Sequence, residues 1–173
     1  RLSQNVLDPS RDYLFETRLS KLLRNEGMAH LEELVSHVRG RKDHAMERAI
    51  AEAMTINETS FFRDGRPFEL LRTELLPPLI EARRLKRSLR FWSAACSTGQ
   101  EAYSLSMLLR EHFPLLGTWR IEIQGTDISR EVVDRAQKAT YHRIEMNRGL
   151  PARNVVRYFD HVGEDWVVKP ELR

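Results

Sequence analysis

One cysteine, Cys96, stands in 173 residues. A single thiol closes no internal disulfide, so nothing points to an oxidising, disulfide-held scaffold. Eight glycines and seven prolines are too few for a collagen-like or proline-rich disordered chain. Glycine is also absent where phosphate binders need it: the chain contains neither GxGxxG nor GxxxxGK[ST]. No apolar run approaches the roughly 18 residues of a membrane-spanning helix. The longest uncharged stretch, Phe91 to Gln100, is short and carries Ser, Thr and Cys. There is no HExxH and no Cys/His pair. His30, His37 and His44 are regularly spaced, but Gly40 interrupts any shared helix, so no metal site is expected. No signal peptide is visible, and a cytoplasmic location without membrane insertion is the expectation.

What is present is globular: 41% hydrophobic and 31% charged residues, with a net charge of +3. Residues 1–56 carry equal numbers of acids and bases, so the surplus lies in residues 57–173. The dense basic cluster is Arg83, Arg84, Lys86, Arg87 and Arg90. It reads as a solvated helix end, where cations also suit the helix dipole. Nucleic-acid binders concentrate charge in a longer stripe, so no nucleic-acid partner is expected.

The hydropathy pattern divides the chain at about residue 54. Before it, three short helices are predicted. Leu14, Phe15, Leu19, Leu22 and Leu23 share one face before Gly27; Leu31, Leu34, Val35 and Val38 follow at helical spacing before Gly40. Asp43 can cap a third helix carrying Met46, Ala49, Ile50, Ala53 and Met54. The second part, 55–173, opens with a polar and aromatic loop. A linker helix over 67–87 follows, interrupted by Pro77-Pro78. Leu89–Ala95 then reads as a buried strand, Glu101–His112 as a helix and Arg120–Thr126 as a second strand. Ser129 is placed to cap a helix through Ala139. This alternation is the signature of an α/β fold with a parallel sheet. A helix near Asn154–Phe159 and a strand at Trp166–Lys169 complete the pattern. Two parallel strands cannot cover their helices alone, so the expectation is a sheet that is incomplete in this chain.

In open α/β sheets ligands bind outside the carboxyl ends of the strands. The first strand runs into Ala94-Ala95-Cys96-Ser97-Thr98-Gly99 and the second into Gly125-Thr126-Asp127. Small residues let backbone approach a ligand, and an aspartate after the next strand can accept both hydroxyls of a ribose. Asp127 can equally cap the helix that follows. With neither a three-glycine cradle nor a P-loop lysine, a nucleoside cofactor lacking phosphate fits better than a nucleotide, and S-adenosylmethionine is the commonest such ligand. Cys96 reads as a small buried residue rather than a nucleophile, since no partner histidine is identifiable. In the loop Asn57-Glu58-Thr59-Ser60-Phe61-Phe62-Arg63-Asp64, the two aromatics can anchor a segment whose polar groups face a cofactor.

Four segments carry a family resemblance. NETSFFRD resembles the N-E-T-x-F-F-R signature of the CheR chemotaxis receptor methyltransferases. FWSAACSTGQEAYSLSMLL resembles their first S-adenosylmethionine-binding strand, turn and helix, and IEIQGTDISREVVDRAQKATY their second strand and helix. RGLPARNVVRYFDHVGEDWVVKPELR resembles the segment leading into their small antiparallel subdomain. The resemblance implies a small N-terminal all-helical domain (1–54). A Rossmann-like methyltransferase domain (55–173) would follow, truncated before its C-terminal part, with an inserted antiparallel β-subdomain beginning at the C-terminus. It implies S-adenosylmethionine as cofactor, S-adenosylhomocysteine as product, and methyl transfer to glutamates on the cytoplasmic helices of methyl-accepting chemotaxis proteins. Cofactor contacts would fall on Asn57, Thr59, Arg63, Glu101 and Asp127, with Arg63 also catalytic. Arg18, Lys21 and Arg24 are candidates to meet an acidic receptor helix. The chain departs from the usual Glu-Glu-Pro at Gln100 and Ala102 and keeps Glu101. Two other readings of the same residues are a methyltransferase acting on another substrate and a non-catalytic signalling module that binds the cofactor or its product.

Overall fold

Asp43 shows how directly some of these residues dictate structure. Its Oδ1 accepts the backbone N–H groups of Ala45 and Met46 at 3.1 and 3.0 Å, satisfying donors that a helix start leaves unpaired. Helix α3 (His44–Ala53) therefore begins where its cap stands. In the computed structural model, which describes residues 13–41 and 43–173, the chain forms two units that divide between Ile56 and Asn57.

The first unit holds α1 (Tyr13–Asn25), α2 (Leu31–Gly40) and α3. Their apolar stripes meet in one cluster of Leu19, Leu34, Met46 and Met54, flanked by Phe15, Leu22, Leu23 and Ile50. Arg18 donates to the Met54 carbonyl at 2.8 Å, tying the first helix to the end of the third.

The second unit begins with the loop 57–65 and α4 (Arg66–Leu70). The predicted interruption at Pro77-Pro78 does not occur. A π-helical turn, Leu71–Leu75, joins α4 to α5 (Leu76–Ala82), and the two prolines occupy the first turn of α5. The wider π turn accommodates rings that would otherwise clash with the preceding carbonyls and lack an N–H to donate.

Strands β1 (Ser88–Ala94) and β2 (Arg120–Thr126) pair in parallel, from Ser88 opposite Arg120 to Ala94 opposite Thr126. Both strands thus end at the same edge. Helix α6 (Gln100–His112) makes the crossover and α7 (Arg130–Lys138) follows β2. Strand β1 is not buried on both faces as its apolar run suggests. Leu89 and Ser93 are buried, whereas Trp92 on the opposite face is 72% exposed. Ser129 also departs from expectation: its side chain caps nothing, and Asp127 takes its backbone N–H instead.

The remaining elements are β3 (Thr140–His142), α8 (Arg143–Met146), α9 (Ala152–Tyr158), β4 (Phe159–Val162) and β5 (Asp165–Val168). The strands form an antiparallel sheet in the order β3-β5-β4. Sequence periodicity had found only β5, because segments of three and four residues carry too little pattern. Two cores stabilise the unit. One gathers Leu76, Ile80, Leu89, Leu108, Leu109 and Leu116; the other gathers Phe61, Met107, Tyr141, Tyr158, Phe159 and Val168.

Candidate functional site

The equal register of β1 and β2 brings two chain segments together at one edge. After Ala94 the chain turns through Ala95, Ser97 and Gly99 with φ values of 60°, 49° and 93°. Such angles are unfavourable for residues with a Cβ and persist only where the surroundings hold them. Gly99 cannot be replaced without displacement: a Cβ would lie 2.9 Å from that of Ala136 and 3.2 Å from the Tyr141 hydroxyl. The Cys96 N–H continues the sheet ladder to the Thr126 carbonyl at 2.9 Å.

Asp127 follows immediately. Its Oδ2 accepts the Ser97 N–H at 2.9 Å and its Oδ1 the Ser129 N–H at 3.0 Å. The carboxylate therefore holds both the turn and Ser129, the residue that precedes α7. A carboxylate offers about four lone-pair sites, so it retains capacity for two further donors. The Ser97 hydroxyl donates to the Asn57 carbonyl at 2.8 Å, which links the loop to the same turn. Ser97, Asn57 and Asp127 thus form one hydrogen-bonded junction. Periodicity gave no reason to single out Ser97; a hydroxyl in a turn between two candidate segments was the available signal.

Glu101 lies in the first turn of α6, where it accepts the Ser93 hydroxyl at 2.6 Å. Thr59 is half-buried and stands outside this hydrogen-bonded set. Arg63 is exposed and donates to the Glu58 carbonyl at 2.8 Å, while Arg148 pairs with the Glu58 carboxylate at 3.2 Å. The loop is pinned from beneath. Phe61 is 0% exposed and meets Tyr141 and Phe159 edge to face at 5.0 and 5.6 Å. Phe62 is only half-buried; its ring meets Phe68 at 5.2 Å and its N–H donates to Ser104 at 2.9 Å. Both aromatics anchor the loop, but only Phe61 is fully buried. Phe62 adopts φ 48° to pass between the two cores. Gly149 closes over the loop, since a Cβ there would meet the Phe61 carbonyl oxygen at 2.1 Å.

Cys96 is buried, and burial together with the nearby Asp127 carboxylate pushes its thiol above the ordinary value. It is a neutral packing residue. Among the described residues no group of three His, Cys, Asp or Glu side chains could hold a metal ion, and no helix is long and apolar enough to cross a membrane. Cys96 and Gly99 also line a cavity of about 880 Å³ with Tyr103, Ile121, Ile123 and Ala136, but none of the five predicted contact residues does. The junction, which lies outside that cavity's lining, presents acceptors suited to a nucleoside. The exposed Ala94 and Ala95 let a ligand approach the backbone, and Asp127 has acceptor capacity for a diol.

Residues 57–173 match the family described as CheR methyltransferase, SAM binding domain. The chain is 41% identical over 172 residues to chemotaxis protein methyltransferase 1 of Pseudomonas aeruginosa, covering 97% of this chain and 62% of that protein. It is 37% identical, with the same coverage, to a chemotaxis protein methyltransferase of Pseudomonas putida. Identity to one from Vibrio parahaemolyticus is 35% over 163 residues, covering 92% of this chain and 58% of the relative. The chain spans about three fifths of the length of these curated relatives.

Proposed function

The chain belongs to the CheR methyltransferase family, and from that premise we propose that the protein transfers a methyl group from S-adenosylmethionine to glutamate side chains on chemoreceptor cytoplasmic helices, giving methyl esters. In this reading β1, α6, β2 and α7 are part of a Rossmann-like cofactor domain, and β3-β5-β4 belong to its inserted antiparallel subdomain. The observation that carries it is the Ser97 junction, in which Asn57, the turn and Asp127 are joined by bonds of 2.8 and 2.9 Å.

Bound at that edge, S-adenosylmethionine would supply a methyl group already activated by a sulfonium leaving group. Asp127 would accept the ribose hydroxyls with the lone pairs that Ser97 and Ser129 leave free. Glu101 would meet a polar or cationic part of the cofactor, and Asn57 and Thr59 would close the pocket from the loop side. Little acid–base work remains for the chain. A glutamate carboxyl titrates near about 4.3, so at neutral pH it is already the nucleophile. What the protein contributes is alignment of oxygen, methyl carbon and sulfur, at roughly 3–3.5 Å between reacting atoms. Arg63, exposed beside the turn of its own loop, would steer that carboxylate. A loose hold suits this role, because firm stabilisation of the anion would weaken the nucleophile. Arg24, exposed on α1, is a further candidate contact for an acidic receptor helix.

The test is incubation of the full-length protein with methyl-labelled S-adenosylmethionine and a receptor cytoplasmic fragment. Label that is released as methanol in mild alkali supports an ester on glutamate. Folded, cofactor-binding protein that transfers no alkali-labile label would overturn the reading.

A further inference from the structure

Gln100 lies at the point where this chain departs from the family signature. It is the first residue of α6, yet its side chain is turned inward and only 2% exposed. Its Oε1 accepts the Thr98 hydroxyl at 2.7 Å, and its Nε2 donates to Glu145 Oε1 at 3.3 Å. Glu145 belongs to α8. Its other oxygen, Oε2, pairs with Arg135 of α7 and accepts the His142 N–H at 3.0 Å. The Tyr141 hydroxyl, from β3, donates to the Thr98 carbonyl at 2.7 Å. The Thr98 end of the turn after β1 is therefore held by the Tyr141 hydroxyl and the Gln100 amide, and that amide links it to the Glu145 carboxylate, as Ser97 links its other end to Asp127.

We propose that Gln100 is a positioning residue: a neutral amide that braces the Thr98–Gly99 turn against Glu145, so that its lack of charge keeps cofactor binding independent of pH. In this chain, with Glu145 facing it, the amide is the group that suits both partners. An amide has a donor as well as an acceptor, so it can satisfy both Thr98 and the carboxylate. A glutamate could still accept from Thr98, but its second oxygen would face Glu145 Oε1. Two carboxylates so close cannot both stay ionised without repulsion, and one would titrate well above the usual range. The charged and titratable groups recorded beside the pair are Arg135 on α7, His142 and Tyr141 on β3 and, around Tyr141, Tyr103 on α6 and Cys96 in the turn. The Arg135 guanidinium is already paired with Glu145 Oε2. The brace rests on the proposed binding of S-adenosylmethionine at this turn, and its test separates the two.

The test uses the full-length protein and titration calorimetry with S-adenosylhomocysteine at about pH 5.5 and about pH 8, alongside melting curves without ligand. Relative to wild type, Gln100→Glu is expected to bind about tenfold more weakly at the higher pH than at the lower, the effect of a carboxyl that titrates between the two pH values with a pKa about one unit higher in the bound than in the ligand-free protein. Its ligand-free melting temperature should fall over the same interval. Pairing it with Glu145→Gln restores one amide facing one carboxylate and should recover affinity at the higher pH to within about threefold of wild type. If Gln100→Glu does not fold at the higher pH, the double variant alone decides: folding and binding support the brace, failure overturns it. A Gln100→Glu protein with the wild-type pH profile, or a double variant no better than the single one, would also overturn it. Wild type that binds no ligand would sink the proposed function instead, leaving the ligand-free melting curves to judge the brace.

Discussion

The two units of this protein solve different problems, and the backbone records it. All six non-glycine residues with positive φ among the described residues lie in the second unit: Phe62, Asp64, Arg87, Ala95, Ser97 and Ala139. Two fall in the aromatic loop and two in the turn after β1. Each such angle opposes stability by roughly 1–2 kcal/mol. The described residues of the first unit include none; its helices are specified by periodicity, a cap and one apolar cluster. The difference teaches that the second unit holds unfavourable local geometry in place through surrounding packing and hydrogen bonds, at the places where the candidate site is built.

Substitutions can sharpen or break this contrast. The largest effect should come from Phe61→Ala, which removes the ring under the loop and is expected to cost about 3–5 kcal/mol by precedent for buried aromatics. Tryptophan fluorescence would follow it in denaturant, because Trp92, Trp119 and Trp166 all lie in the second unit. Phe62→Ala, at a half-buried ring, should cost less. The next comparison sets Gly99→Ala against Gly27→Ala. Both glycines have positive φ, but a Cβ on Gly27 meets nothing within 4 Å, whereas one on Gly99 meets Ala136. Strain plus overpacking should make the first change cost about 2–4 kcal/mol and the second about 1–2. Equal costs would break the contrast.

Arg63→Ala should leave the melting temperature nearly unchanged, within about 0.5 kcal/mol for an exposed loop residue. Methyl transfer should fall by at least about tenfold, or about 1.4 kcal/mol of lost alignment. Wild-type turnover in that variant would reduce the loop to a connector.

The smallest effects concern pH and run in opposite directions. Asp43, in the first unit, is held below the usual carboxylate range by the Met46 N–H and then by His37. Its contribution is present above the unfolded value of about 3.9 and is lost as pH falls through the folded value beneath it. In the second unit burial pushes Cys96 and Tyr141 upward. Their contribution is complete below the unfolded values of about 8.5 and 10 and is lost as pH rises above them. Far-ultraviolet dichroism reads both units and tryptophan fluorescence only the second. Acid should therefore move the dichroism first, and alkali should move both signals.

The same contrast explains what the sequence made legible. Helices of ten or more residues, the Asp43 cap and the two parallel strands follow from periodicity and side-chain chemistry. Asp127 follows from its place after the second strand, whereas Asn57, Thr59, Arg63 and Glu101 came from motif resemblance. What stayed hidden depended on partners distant in sequence. Ser97 matters because Asn57 and Asp127 meet it, Gln100 because Glu145 does, and β3 and β4 exist because β5 lies between them. The π turn that lets Pro77 and Pro78 remain helical leaves no periodic trace either.

The central claim is that the turn at Ser97 and the Asp127 carboxylate form one cofactor-binding edge. Titration calorimetry of S-adenosylhomocysteine against the full-length protein and its Asp127→Ala variant tests it most directly. Wild type should bind, and the variant should bind more weakly by about 1–3 kcal/mol, the cost of leaving buried polar groups unpaired. Equal affinity of two properly folded proteins, or no binding by either, would contradict the account.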